Sequence, residues 1–360
     1  MRFEFIKEIK QPLVLFFLTF CVILPLVLFI GLKKELFGGF YQENRLDTIQ
    51  VEALLMQYEK VDVELGDSMY QGLVQEESLL ARQYNSVLFN EPDKFKDVSY
   101  ELESLKKTLQ TNPDYDKIAD FQAPAYQTEK KFQLFSYLKE HNQPYILKPV
   151  SIGAFLIVVF SAIGVVWFAI CAALTSRVLE DDLNHSSIIK GQPYRFSQRM
   201  FRKFCVLLIL SLVGFLLIFI TSLGLTQFYG DPVNDFSYKE IVYLLDFVII
   251  NYWQWLIGFI IYLIIMLVFT FLLSILFNQL TKNFSLTLLL ELALYVLTLF
   301  IGYSDKLTPA FIGYYLMPTA LFEGRFLSSV INPLGGTVYL FVASILLIGV
   351  ITLVRKVGTR

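Results

Sequence analysis

The sequence predicts an all-α membrane protein with six transmembrane helices and an extracytoplasmic helical domain between the first two. Three observations carry that expectation. The 360 residues are 55% hydrophobic and only 17% charged, whereas a soluble domain has about 45–50% apolar and about 25% charged residues. Six apolar runs reach or approach the roughly 20 residues that cross a hydrocarbon core. Between the first two runs the composition changes abruptly to a polar, acidic one. A net charge of −2 excludes a basic nucleic-acid-binding chain, and the high apolar content excludes a disordered one.

The expected spans are Leu13–Leu32, Ile152–Leu174, Phe204–Leu225, Trp253–Phe277, Leu286–Tyr303 and Val338–Val354. Helices are the default because backbone polar groups in lipid must be satisfied within the segment. The first run is too long for the apolar region of a signal peptide and no small-x-small site follows it, so it reads as an anchor. Lys and Arg set the orientation. Thirteen basic residues fall on one side: Arg2, Lys7, Lys10, Arg177, Lys190, Arg195, Arg199, Arg202, Lys203, Lys282, Arg355, Lys356 and Arg360. The opposite short loops carry only Lys239, Lys306 and Arg325. Both termini are therefore expected in the cytoplasm. Cys21, Cys171 and Cys205 fall within or at the edge of spans, which argues against a disulfide framework.

Residues 34–147 hold 12 basic and 20 acidic side chains. Apolar residues from Leu46 to Phe89 recur mostly at three and four, predicting one long amphipathic helix weakened at Gly66 and Gly72. Pro92 ends it and Asp93 caps the next helix, which carries Val98, Leu102, Leu105 and Leu109. Turns follow at Asn112-Pro113-Asp114 and Ala123-Pro124, then a third helix over Thr128–Leu138. His141 is the segment's only histidine and has no second ligand at usable spacing, so no metal is expected.

After the second span, Glu180, Asp181 and Asp182 open a short amphipathic helix with Leu183, Ile188 and Ile189 as its apolar residues. Acidic residues favour a helix start, and Lys190 with Gly191 suits its end. Pro193 then forces a turn before a basic run of Arg195, Arg199, Arg202 and Lys203 leads into the third span. The segment 306–333 is apolar but broken by Pro309, Gly313, Pro318 and Gly324.

These features resemble the permease subunits of type-2 ABC exporters, in the subgroup with a large external domain between the first two spans. Glu180, Pro193, Arg195 and Lys203 follow the order in which that family places an acidic residue, a coupling helix, a proline, an arginine and a lysine. Asn184-His185 replaces the Gly-Thr pair common in that helix. Segment 306–333 looks like the family's pair of re-entrant helices, and Met1–Gln11 looks like its interfacial connecting helix. The resemblance implies a bacterial cell-membrane exporter of an amphipathic or hydrophobic compound, working with a second permease subunit, identical or homologous. It also implies two copies of a separate ABC ATP-binding subunit. ATP and Mg would bind there, because this chain has no Gly-x-x-x-x-Gly-Lys-Ser/Thr loop, and no cofactor or catalytic residue is expected of it. The expected ATPase-coupling residues are Glu180, Asp181, Asp182, His185, Lys190, Pro193, Arg195 and Arg199.

Two ionisable residues are candidates for a translocation path. Glu291 lies inside the fifth apolar run, where a charge is costly and normally faces a cavity or a hydrogen-bonding neighbour. Asp246 sits in an apolar lead-in to the fourth run, beside Tyr243, Tyr252, Trp253 and Trp255, which read as an aromatic belt. Alternative readings are a sodium or proton extrusion permease that uses Glu291, and an envelope sensor with a helical ectodomain.

Overall fold

A computed structural model describes residues 11–34, 36, 40–59, 68–143, 145–147, 149–184, 195–231, 235–301 and 310–358. Five helices in it are long and apolar enough to cross a membrane: α1 (Pro12–Lys33), α6 (Ile152–Thr175), α8 (Phe196–Tyr229), α9 (Tyr252–Thr281) and α12 (Pro333–Gly358). Helix α10 (Phe284–Ile301) is apolar but shorter, and the expected end of its span at Tyr303 lies outside the described residues. The helical segment expected over Met1–Gln11 also lies outside them, apart from Gln11.

Helices α6 and α9 form the centre. In each, 56% of the most apolar window is buried, against 17% in α12, which places α12 at the periphery. Helix α12 packs on α9, α10 packs on both central helices, and α1 pairs with α8 alongside α6. Small residues let these helices approach closely. At Gly164 a Cβ would fall 2.5 Å from Phe259 Cζ and 2.6 Å from Thr319 Oγ1. At Gly214 it would fall 2.6 Å from Phe17 Cζ, on the seam between α1 and α8. Phe155, Phe168, Trp167, Phe259, Leu263 and Met266 fill the core between α6 and α9.

Among the described residues the polar segment holds four α-helices: α2 (Phe40–Glu59), α3 (Ser68–Leu88), α4 (Pro92–Gln110) and α5 (Ala125–Glu140). The single long helix expected over Leu46–Phe89 is instead two antiparallel helices. Asn44 Nδ2, near the start of α2, donates to Leu80 O at 3.1 Å and to Gln83 Oε1 at 3.2 Å, near the end of α3. Folding back buries Val51 and Leu54 against Met69, Leu73 and Leu80, a stripe that a continuous helix would leave in water. The start of α4 also differs: Glu91 holds the N-cap position and Pro92 the first turn, so Asp93 lies inside the helix.

A second departure is a β-hairpin in place of an apolar lead-in, so the fold is mainly rather than wholly α. Strand β1 (Lys239–Tyr243) pairs antiparallel with β2 (Phe247–Asn251), with Ile241 opposite Ile249 and Val242 opposite Val248. These β-branched residues favour a pleated, half-buried surface over a helix. The aromatic belt expected there is mostly interior: Tyr243, Tyr252 and Trp255 are buried, and Trp253 is exposed.

Inside the polar domain, Lys106 is buried with its Nζ 2.9 Å from Asp47 Oδ2 and 3.7 Å from Glu76 Oε1. Burial pushes the carboxyls of Glu76 and Glu103 up from the usual range, and Lys106 only partly offsets this. For Lys106, burial pulls the pKa down, but Glu103, Asp47 and Glu76 together push it above the ordinary value. A raised carboxyl binds its proton in the native state first, so stability increases as pH falls toward the ordinary Glu value of about 4.3. The lysine contribution is constant below about pH 10. The polar domain should therefore resist urea more strongly at about pH 5 than at pH 7. Lys106→Met should cost about 3–5 kcal/mol at pH 7, where buried carboxylates lose their cation, and distinctly less at the lower pH. Urea unfolding of the detergent-solubilised chain at the two pH values, followed by circular dichroism, reads both effects.

Candidate functional site

Two polar constellations stand out against the apolar bundle. The first is at the junction of α6 and α8. Helix α6 ends at Thr175, and after a turn a short helix, α7 (Glu180–Asn184), begins. Its Asp182 faces the first turns of α8. Arg199 Nη2 donates to Asp182 Oδ2 at 2.9 Å, and Lys203 Nζ donates to Asp182 Oδ1 at 3.1 Å. Lys203 also donates to the Val178 carbonyl. The three side chains are each about 12–15% exposed, so this clamp is better shielded from salt than a surface pair.

Val178, Leu179, Met200 and Leu207 close over the apolar side of the same junction, together with Phe271, Ile275 and Ile351. The clamp thus holds the acidic helix against the root of α8 on a hydrophobic footing. Glu180 makes only a loose pair with Arg177, at 3.9 Å, and Arg195 is exposed just ahead of α8. Of the coupling residues expected from sequence, the structure brings Asp182 and Arg199 together and adds Lys203. Asp181 lies in α7. His185, Lys190 and Pro193 lie outside the described residues, as does the remainder of the expected coupling helix.

The second constellation is inside the bundle. Ser274 Oγ on α9 donates to Glu291 Oε1 on α10 at 2.6 Å and lies 2.6 Å from Thr175 Oγ1 on α6. One helical turn along α9, Asn278 Nδ2 donates to Ser176 O at 2.7 Å and to Ser274 O at 2.9 Å. Glu291, Ser274, Thr175 and Asn278 are all fully buried. Glu291 Oε2 has no hydrogen-bond partner among the described residues. The chain of hydroxyls therefore ties three helices together and leaves one carboxyl oxygen facing the interior.

Ser274 and Asn278 were not among the expected site residues. Their spacing of four in an otherwise apolar run is the sequence signal that marks them. Asp246, the other path candidate, lies apart from this constellation. It is exposed in the turn of the β-hairpin, where its Oδ1 accepts from Phe247 N at 2.7 Å. A β-turn carboxylate in that position orders its own backbone and does not enter the helix bundle.

Asp235 is a buried carboxylate that sequence reasoning missed. Its Oδ1 accepts from Gly153 N at 2.6 Å, and its Oδ2 from Ser151 Oγ at 2.7 Å and Ala154 N at 2.9 Å. It therefore caps the first turn of α6 from 81 residues away in sequence, satisfying N–H groups that the helix cannot satisfy itself. Among the described residues no group of three or more His, Cys, Asp or Glu side chains is arranged to hold a metal ion. Compared with models of known protein families, with curated proteins and with solved structures, the chain matches none.

The hydroxyl chain makes a graded prediction. Glu291→Ala removes the acceptor and leaves a void, so it should lower stability to SDS-induced unfolding by about 2–4 kcal/mol. Glu291→Gln keeps an acceptor at the Oε1 position and should cost under about 1 kcal/mol. The reverse order would show that the carboxyl is not held by Ser274.

Proposed function

We propose that this chain is the membrane-spanning permease subunit of an ATP-driven ABC exporter that moves an amphipathic or hydrophobic compound out of a bacterial cell. On this reading α10 is the fifth of six spans and the polar helices α2–α5 form an extracytoplasmic domain. The two short helical pieces, Ile312–Leu316 packed against α10 and α12 and α11 (Pro318–Phe322) packed against α6 and α9, serve as the re-entrant pair. Two such chains, or this chain and a homologue, form the path, and two separate ATP-binding subunits drive it.

The observation that carries the reading is the clamp of Asp182 on Arg199 and Lys203. It places an acidic helix and the basic entry to α8 in one rigid junction, where the sequence resembles a coupling loop. A docked ATPase pushing on residues 176–203 would load α7, and the clamp would pass that load directly into α8. Thr175 and Ser176 would pass it to the interior of the bundle, because they bond Ser274 and Asn278 on α9. Glu180 and Arg195 are left accessible for the partner, while Asp182 is committed to the chain itself.

A second reading, sodium or proton extrusion by the same architecture, is favoured only by the unpartnered Glu291 Oε2. The two readings separate in one assay. An ATPase should co-purify with the chain from its native membrane, and the reconstituted complex should export organic cargo. In a Glu180→Ala, Arg195→Ala double variant, ATP-dependent export should fall at least about tenfold with the fold intact. Unchanged export would remove the coupling role of the loop. Normal organic export in Glu291→Gln would remove the ion-coupling reading.

A further inference from the structure

Between the polar domain and the adjoining ends of the apolar helices lies a cavity of about 730 Å³. That volume is within the roughly 300–1,000 Å³ of small-molecule sites. One wall belongs to the apolar helices and their lead-in: Leu32 of α1, Val150, and Ile157 and Val158 of α6. A second wall is aromatic. Phe95 stacks on Tyr145 at 5.2 Å and meets Phe40 edge-on at 5.3 Å, with Phe135 against both Phe95 and Tyr145. The cavity thus joins a lipid-like surface to π faces, which attract cations as well as apolar groups.

The remaining lining is charged, with five carboxylates and three lysines. The lysines are already engaged. Lys130 lies 3.6 Å from Glu240, Lys131 lies 3.8 Å from Glu43, and Lys239 Nζ donates to Asn251 Oδ1 at 2.8 Å. Asp47 is held by Lys106 from behind the wall. Two carboxylates remain, Glu103 on α4 and Glu323 just after α11. Among the described residues neither has an ion pair or a side-chain hydrogen bond, and Glu103 is only 3% exposed. Lys106 is the largest charge acting on Glu103 and Lys131 adds to it, yet burial outweighs both; burial of Glu323 likewise outweighs Lys130 and Arg325. A buried carboxylate whose charge is only partly offset is costly, and a cation in the cavity would relieve that cost.

We propose that this cavity binds a hydrophobic organic cation, with its charge toward Glu103 and Glu323 and its apolar body against the aromatic wall and the ends of α1 and α6. Binding is a property of this chain alone and needs neither an ATPase nor transport, so it stands or falls separately from the export reading.

Tetraphenylphosphonium and tetraphenylborate share one shape and carry opposite charges, which makes them a direct probe. Equilibrium binding of each should be measured on the full chain in lipid nanodiscs, with empty nanodiscs subtracted. Tetraphenylphosphonium should bind saturably at one site per chain, and tetraphenylborate should show no saturable binding. A Glu103→Gln, Glu323→Gln double variant should bind the cation about tenfold more weakly. Val158→Trp, which fills the cavity from the half-buried face of α6 without touching a charge, should abolish saturable binding. Saturable binding of the anion at equal affinity would overturn the proposal. So would unchanged cation affinity in a folded Val158→Trp chain.

Discussion

Hydrogen bonds between polar atoms buried among apolar helices fix which helices meet, and in this chain they are concentrated on the α6–α9 seam. Trp167 Nε1 donates to Leu263 O at 2.8 Å, Thr175 meets Ser274 at 2.6 Å, and Asn278 reaches Ser176 O at 2.7 Å. The elements outside the seam attach to it in the same way. Thr319 Oγ1 donates to Ser161 O at 2.7 Å, Tyr262 OH donates to Tyr315 O at 2.8 Å, and Glu291 accepts from Ser274. Each such bond adds little by itself, about 0.6 kcal/mol on average between membrane helices. Leaving the same atom unpaired costs more, so the set fixes which helices meet and in what register.

The seam also explains why the two ends of the bundle are connected. At one end Asp235 holds the first turn of α6, and at the other the Asp182 clamp ties the segment leaving α6 to α8. Between them the buried side of the helix is packed by aromatic and aliphatic residues. A force applied at the charged junction therefore meets a stiff element whose far end borders the cavity beneath the polar domain. That continuity would give the proposed coupling loop a physical route to the proposed ligand site, carried by one helix.

Much of this was legible in the sequence because it depends on local pattern. Five apolar runs became long helices, Thr128–Leu138 became most of α5, and Glu291, an acid among leucines, proved to be buried and bonded to Ser274. What escaped depends on contacts distant in sequence. The apolar stripe from Leu46 to Phe89 fits one helix as well as two; the cross-contacts of Asn44 with Leu80 and Gln83 distinguish them. Asp235 looks like an ordinary loop acid until Gly153 and Ala154 are brought to it. Ile241–Asn251 is apolar enough to enter a helix, but its β-branched residues pair across a turn. Tyr252 and Trp255 have belt-like composition, and packing against the interior hid them.

The central claim is that the polar domain and the charged loop lie on opposite sides of a bilayer, joined through the α6–α9 seam. Single cysteines at Lys94 and Ser197, both exposed positions, test it in a chain whose Cys21, Cys171 and Cys205 have been replaced. A membrane-impermeant maleimide applied to intact cells should label the cysteine at position 94 and leave position 197 unlabelled until the cells are lysed. Equal labelling of both positions from one side would contradict the arrangement on which the proposed coupling depends.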